Sequence, residues 1–85
     1  MIDYTGSAES QLRKLDRQTA RRILDYMDNR VAVLDNPRTL GKALSGRLGG
    51  LWRYRVDDCR VICDIQDSAL CILVVTLGNR REVYR

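Results

Sequence analysis

The chain has no histidine, and that absence removes more chemistry than any other feature of its composition. Serine–histidine and cysteine–histidine nucleophilic pairs are excluded, so acid–base work must fall to Asp, Glu, Lys, Arg or Tyr. Cysteine is scarce as well: Cys59, Cys63 and Cys71 are odd in number and form no CxxC pair. A disulfide scaffold and a structural zinc site are both unexpected on that pattern, and no metal or cofactor is expected. All three cysteines fall in strand-like segments, where a free thiol behaves as a small apolar side chain. No apolar run approaches the ~20 residues of a membrane-spanning helix. The opening Met-Ile-Asp-Tyr-Thr lacks the basic start and apolar stretch of a secretory signal, so the expected compartment is the cytoplasm. There are no repeats, linkers or low-complexity tracts. Eighty-five residues are expected to form a single domain, 1–85.

What is abundant is arginine. The chain is 45% hydrophobic and 31% charged, which is globular composition. Fifteen basic residues stand against eleven acidic ones, for a net charge of +4. Only Lys14 and Lys42 are lysines; the other thirteen are arginines. A guanidinium is a planar fork that grips a phosphate or carboxylate at two points. A small arginine-dominated domain points to nucleic acid or an acidic protein as partner, provided the arginines cluster.

The first half reads as helix. Ala8, Leu12 and Leu15 recur at helical spacing after Thr5-Gly6-Ser7. Asp16 can cap a second helix, in which Ala20, Ile23, Leu24, Met27, Val31 and Leu34 form one apolar stripe. Asp35-Asn36-Pro37 ends it, because proline disfavours helical geometry in the preceding residue. Ile2 and Tyr4 can form a short strand before the first helix. Arg13, Lys14, Arg17, Arg21 and Arg22 read as a solvated helical face that could also touch RNA backbone.

The second half reads as sheet. Leu51–Val56 alternates, with Trp52, Tyr54 and Val56 on the core side and Arg53 and Arg55 on the other. Asp57-Asp58 is a turn, Cys59–Ile65 alternates again, and Leu70–Leu77 is apolar almost throughout. Arg80–Arg85 is a polar tail around a possible short strand. The expected architecture is α+β: two helices on one face of a mostly antiparallel, four-stranded sheet.

A two-residue turn at Asp57-Asp58 sets the register. Val56 then pairs with Cys59, Arg55 faces Arg60, and Arg53 faces Ile62. Arg53, Arg55 and Arg60 share the face away from the core. Two guanidinium groups roughly 6 Å apart repel by about 3 kcal/mol at an effective dielectric near 20. Folding gains nothing from this, whereas an anion held between them relieves it. Arg80 and Arg81 follow the last strand and can reach the same end of the sheet, with Tyr84 nearby to stack on a base. The competing view is a solvated basic face balanced by Asp57, Asp58, Asp64 and Asp67.

The segments Lys42-Ala43-Leu44-Ser45-Gly46, Leu51–Val56, Cys59–Ile65 and Val75-Thr76-Leu77-Gly78-Asn79-Arg80-Arg81-Glu82-Val83-Tyr84 together resemble the RelE toxin family of the RelE/ParE superfamily. The resemblance covers nearly the whole chain, and the Gly-Asn-Arg-Arg-Glu-Val-Tyr ending is its most specific part. It implies a toxin of a type II toxin–antitoxin system, a metal-independent endoribonuclease that cuts mRNA in the ribosomal A site. The 2′-hydroxyl attacks the adjacent phosphorus and the 5′-oxygen leaves. It further implies an antitoxin encoded beside the toxin, a RelB-like protein that lays a helix on the sheet or helical surface and brings acidic residues to the arginines.

Carried over by position, the resemblance associates Arg55 with proton abstraction, Arg53 with phosphate stabilisation and Arg60 with the transition state. Arg80 matches the proton donor, and Tyr84 matches a tyrosine that orients or stacks the base. Arg81 and Lys42 are assigned to substrate binding. The well-known RelE carries lysines at the positions of Arg53 and Arg55. A guanidinium holds its proton more firmly than an ammonium, so either Arg55 acts chiefly through its charge, with water or the ribosome taking the proton, or cleavage is slow. The chain also ends without the C-terminal helix of some relatives, which bears on antitoxin control. No DNA-reading motif is recognisable, so no sequence-specific DNA binding is expected of this chain. The alternative within the superfamily is a ParE-like, non-catalytic inhibitor of DNA gyrase.

Overall fold

A computed structural model describes residues 1–79. Strand β1 (Ile2–Tyr4) leads into helix α1 (Gly6–Lys14) and helix α2 (Arg17–Tyr26). Four strands follow: β2 (Lys42–Ala43), β3 (Trp52–Val56), β4 (Cys59–Gln66) and β5 (Cys71–Asn79). They form one sheet in the order β1-β5-β4-β3-β2, with β1 parallel to β5 and the other pairs antiparallel. The α+β class and the two-helix layer are as the sequence pattern requires. The sheet has five strands among the described residues where four were expected, because the two-residue β2 is too short to leave an alternation signal.

Both helices start where a cap is available. The Thr5 side chain accepts from the Ala8 N–H at 3.1 Å while its hydroxyl donates to the Val75 carbonyl at 3.0 Å, so one residue caps α1 and ties it to β5. Gln11 extends that tie, donating to the Thr76 hydroxyl and accepting from the Leu77 N–H, both at 2.9 Å. Asp16 caps α2 through the Thr19 N–H, and the Thr19 hydrogen bonds hold its carboxyl below the usual range.

The second helix was expected to run unbroken to Leu34. It instead ends at Tyr26 and passes into a π-helical turn, Met27–Val31, closed by the Ala32 N–H donating to the Met27 carbonyl at 2.8 Å. Ile23, Met27 and Val31 are buried, four residues apart, whereas Leu24 lies off the stripe and is 37% exposed. These side chains pack with Ala8 against Tyr54, Val56, Cys59, Val61, Cys63, Ile72, Val74 and Leu77 from the sheet. Tyr54 and Trp52 face this core as expected. Their polar atoms are satisfied, the Tyr54 hydroxyl donating to the Pro37 carbonyl and the Trp52 indole N–H to the Leu40 carbonyl, both at 2.7 Å. The segment between α2 and β2 is thereby pinned over the edge of the core. No helix among the described residues is long and apolar enough to cross a membrane.

Candidate functional site

The β3–β4 turn is the two-residue one expected, with Asp57 at φ +53°, a left-handed conformation that aspartate tolerates. The pairing follows: Val56 opposite Cys59, Arg55 opposite Arg60, Arg53 opposite Ile62. Lys42 lies opposite Arg53 on β2, and Gly78 lies opposite Arg60 on β5. Tyr54, Val56, Val61 and Cys63 enter the helix-side core. Strand alternation therefore puts Lys42, Arg53, Arg55 and Arg60 together on the other face. Gly78 contributes no side chain beside Arg60. Arg80, Arg81 and Tyr84, expected to complete the site, lie outside the described residues.

The three arginines sit in different surroundings. Arg60 is 5% exposed and is the one buried charged residue among those described. Arg53 is half-buried and Arg55 is exposed. The Nε atoms of Arg53 and Arg60 are buried with no hydrogen-bond partner among the described residues. The Arg55 Nε donates to the Asp57 carbonyl at 3.2 Å, which turns that guanidinium back toward the hairpin tip. Between them Ile62 is wholly buried although it is not part of the helix-side cluster.

Two of the four carboxylates that could have balanced this face, Asp57 and Asp67, are engaged elsewhere. Asp57 pairs with Arg22 of α2 at 3.0 Å. Asp67 is gripped by both terminal nitrogens of Arg38, at 2.9 and 3.0 Å, which holds its carboxyl below the usual range. Gln66 donates to Asp64 at 3.2 Å. Those two ion pairs are the only ones among the described residues, and neither includes Arg53, Arg55 or Arg60. A buried cation without an anion is costly to the fold. An anion placed on this face meets positive charge from two adjacent strands.

Sequence reasoning passed over Gly41. Its φ is +77°, and a Cβ there would lie 2.3 Å from the Arg53 carbonyl oxygen and 2.7 Å from the Trp52 indole nitrogen. Only glycine lets the chain press this closely against β3 and deliver Lys42 opposite Arg53. The one available signal was a glycine directly before a lysine in a segment with no strand periodicity. Arg22 was read as solvated or touching RNA backbone rather than paired, because its partner Asp57 is 35 residues away.

Two helices on one side of a short mixed sheet, with arginines crossing the other side, define a small α+β domain with a cationic face. The model of the ParE toxin of type II toxin–antitoxin systems, parDE, matches residues 2–84, and the chain belongs to that family, within the RelE/ParE superfamily. It is 29% identical over 84 residues to Toxin RelE of Mycobacterium tuberculosis, covering 99% of this chain and 84% of that protein. Among solved structures, the toxin–antitoxin complex RelBE2 of Mycobacterium tuberculosis contains a chain that superposes with a TM-score of 0.83 at 20% identity, covering 96% of this chain and 92% of that one. The isolated E. coli RelE toxin superposes with a TM-score of 0.72 at 16% identity, covering 99% and 89%. These structural likenesses show the fold.

Proposed function

We propose that this toxin is a ribosome-dependent mRNA endoribonuclease that cleaves in the A site and stops translation in the cytoplasm. The observation that carries the reading is the placement of Arg53, Arg55 and Arg60 on adjacent strands of one face, without a carboxylate partner among the described residues and with two buried Nε donors unmatched. In the proposed reaction the 2′-hydroxyl oxygen bonds to the adjacent phosphorus and the bond to the 5′-oxygen breaks. The products are a 2′,3′-cyclic phosphate and a 5′-hydroxyl. Arg60 and Arg53 carry the developing negative charge on the nonbridging oxygens. Arg55 lowers the cost of deprotonating the 2′-hydroxyl through its charge, and water or a ribosomal group takes the proton. Arg80 protonates the leaving oxygen, Tyr84 stacks the base, and Lys42 and Arg81 hold the flanking backbone. No metal or cofactor enters the reaction.

The toxin's partners in this reading are the translating ribosome with its mRNA and a RelB-like antitoxin that blocks the arginine face. Neighbouring structures of this fold are toxin–antitoxin complexes, which supports an antitoxin partner. Binding to specific DNA sequences is left to the antitoxin.

The family description favours a second reading, a ParE-like inhibitor of DNA gyrase that cuts nothing. The two separate on induction in cells. An interferase causes rapid loss of protein synthesis with cut mRNA. A gyrase inhibitor causes a DNA-damage response and filamentation while mRNA stays intact.

A further inference from the structure

Strand β5 is irregular where it borders the arginine face. Val74 and Leu77 both enter the helix-side core, although they are three residues apart and strict alternation would put them on opposite faces. The pairing with β4 accounts for this. Cys63 lies opposite Val74 and Ile62 opposite Thr76, so Val75 is an extra residue, a β-bulge. From there the register runs on with Val61 opposite Leu77 and Arg60 opposite Gly78. Gly78 has a φ of +150°, which residues with a side chain rarely adopt, so the place facing Arg60 is kept for a residue with none.

The bulge is held from the helix layer. β1 pairs with β5 only from Ile72 to Val74, so beyond that point no strand among the described residues covers the outer edge of β5. Two side chains do so instead. The Thr5 hydroxyl donates to the Val75 carbonyl at 3.0 Å. Gln11 of α1 accepts from the Leu77 N–H and donates to the Thr76 hydroxyl, both at 2.9 Å. Gln11 therefore fixes the two residues that follow the extra one. Sliding the end of β5 by one residue, so that it pairs without a bulge, would set Leu77 opposite Arg60 and Gly78 opposite Cys59. Thr76, Leu77 and Gly78 would all change face. On its other side Arg60 faces Arg55, a like charge that repels it, so β5 is the neighbour able to hold it in place.

We infer that Gln11 is a positioning residue for Arg60: by locking the bulge from α1 it keeps Gly78, and the open place Gly78 leaves, opposite the buried arginine. The effect on the reaction follows from geometry. Arg60 has to meet a developing oxyanion at hydrogen-bond distance, and a misplacement on the order of 1 Å can cost about 10²-fold in rate. Gln11 itself belongs to the helix layer, across the sheet from the arginine face, and acts only through β5. The inference rests on the ribonuclease reading above for its effect on cleavage. Its effect on Arg60 rests on the register alone.

The experiment compares Gln11→Leu and Gln11→Glu in the full-length toxin. The first removes both hydrogen bonds at similar size. The second keeps an oxygen that accepts from the Leu77 N–H and from the Thr76 hydroxyl. Ribosome-dependent cleavage is measured well below the melting temperature of each variant, and the Arg60 Nε–H signal is followed by NMR of the nitrogen-labelled free toxins. Gln11→Leu is expected to lower kcat at least tenfold with KM within threefold, and to shift the Arg60 signal. Gln11→Glu is expected to keep kcat within threefold of the natural chain and to leave the signal in place. On an Arg60→Met background, Gln11→Leu is expected to remove less than a further threefold, because a residue that acts through Arg60 then has nothing to position. A Gln11→Leu variant that melts earlier yet cuts within threefold of the natural chain overturns the inference, as does one whose Arg60 signal has not moved. So does a further tenfold loss on the Arg60→Met background, or a Gln11→Glu variant as impaired as Gln11→Leu. If the natural chain cuts no mRNA, the ribonuclease reading falls and the NMR comparison decides. An Arg60 signal moved by Gln11→Leu and not by Gln11→Glu then upholds the positioning of Arg60, and an unmoved signal overturns it.

Discussion

The two faces of the sheet treat positive charge in opposite ways. On the helix side, Arg22 and Arg38 each have a carboxylate within 3.0 Å and remain in contact with solvent. On the other side, Arg60 is buried, and its Nε, like that of Arg53, has no hydrogen-bond partner among the described residues. Exposed pairs of the first kind contribute little to stability, because solvent screens them. The second kind opposes folding. A fold keeps such a feature when the charge is matched only in a complex, and the proposed reacting site rests on this difference between the faces.

The comparison is broken most directly at Arg60. Arg60→Met keeps the apolar stem of the side chain and removes the guanidinium and its charge. Ribosome-dependent cleavage is expected to fall on the order of 10²–10³-fold, as when one transition-state donor is lost. The melting temperature is expected to hold or rise, because a buried unpaired donor is removed. A variant that melts early while cutting normally reverses the assignment. Gly41→Ala attacks the site from beneath. The substitution forces a Cβ against the Arg53 carbonyl at a positive φ, and destabilisation on the order of 3 kcal/mol is expected in urea unfolding.

A smaller, pH-dependent effect comes from the core shared by both faces. Burial pushes the Cys63 thiol up to about 12 from 9.0, and burial assisted by the Asp28 carboxylate pushes the Tyr4 phenol up to about 12 from 10.0. Both groups ionise in the unfolded chain before they ionise in the folded one. The contribution of these two groups is therefore expected to be level below pH 9, and stability to fall as pH rises from 9 toward 12. A urea midpoint series across that range checks the sign, and Cys63→Ala should flatten its onset. The smallest effect is expected from Arg22→Ala, which removes the exposed pair to Asp57: below about 1 kcal/mol in stability, with cleavage within a few-fold. A large loss of cleavage there would move part of the site's support onto α2.

Much of the fold was legible because its signals are local. Thr5 and Asp16 cap helices three residues ahead, and the alternation of Trp52–Val56 and Cys59–Ile65 about a two-residue turn fixes which side chains face each other. The arginine face follows from that register alone. What escaped depends on longer-range contacts or on a few residues. β2 has two residues and exists because Gly41 can press against β3. The helix stripe runs on past Tyr26 in sequence, but the backbone there turns π-helical, and Leu24, one residue off the buried row of Ile23, Met27 and Val31, is left at the surface. Asp57 and Asp67 looked available to balance the arginines until their partners Arg22 and Arg38 came near through the folded chain. Arg80, Arg81 and Tyr84 remain assigned by resemblance, outside the described residues.

The most direct test is primer extension on an mRNA held in ribosomes with an empty A site, with and without the purified toxin. The expected result is new 3′ ends inside the A-site codon, requiring both ribosome and toxin and lost with Arg60→Met. Intact mRNA under those conditions, together with inhibited DNA supercoiling by gyrase, would contradict it.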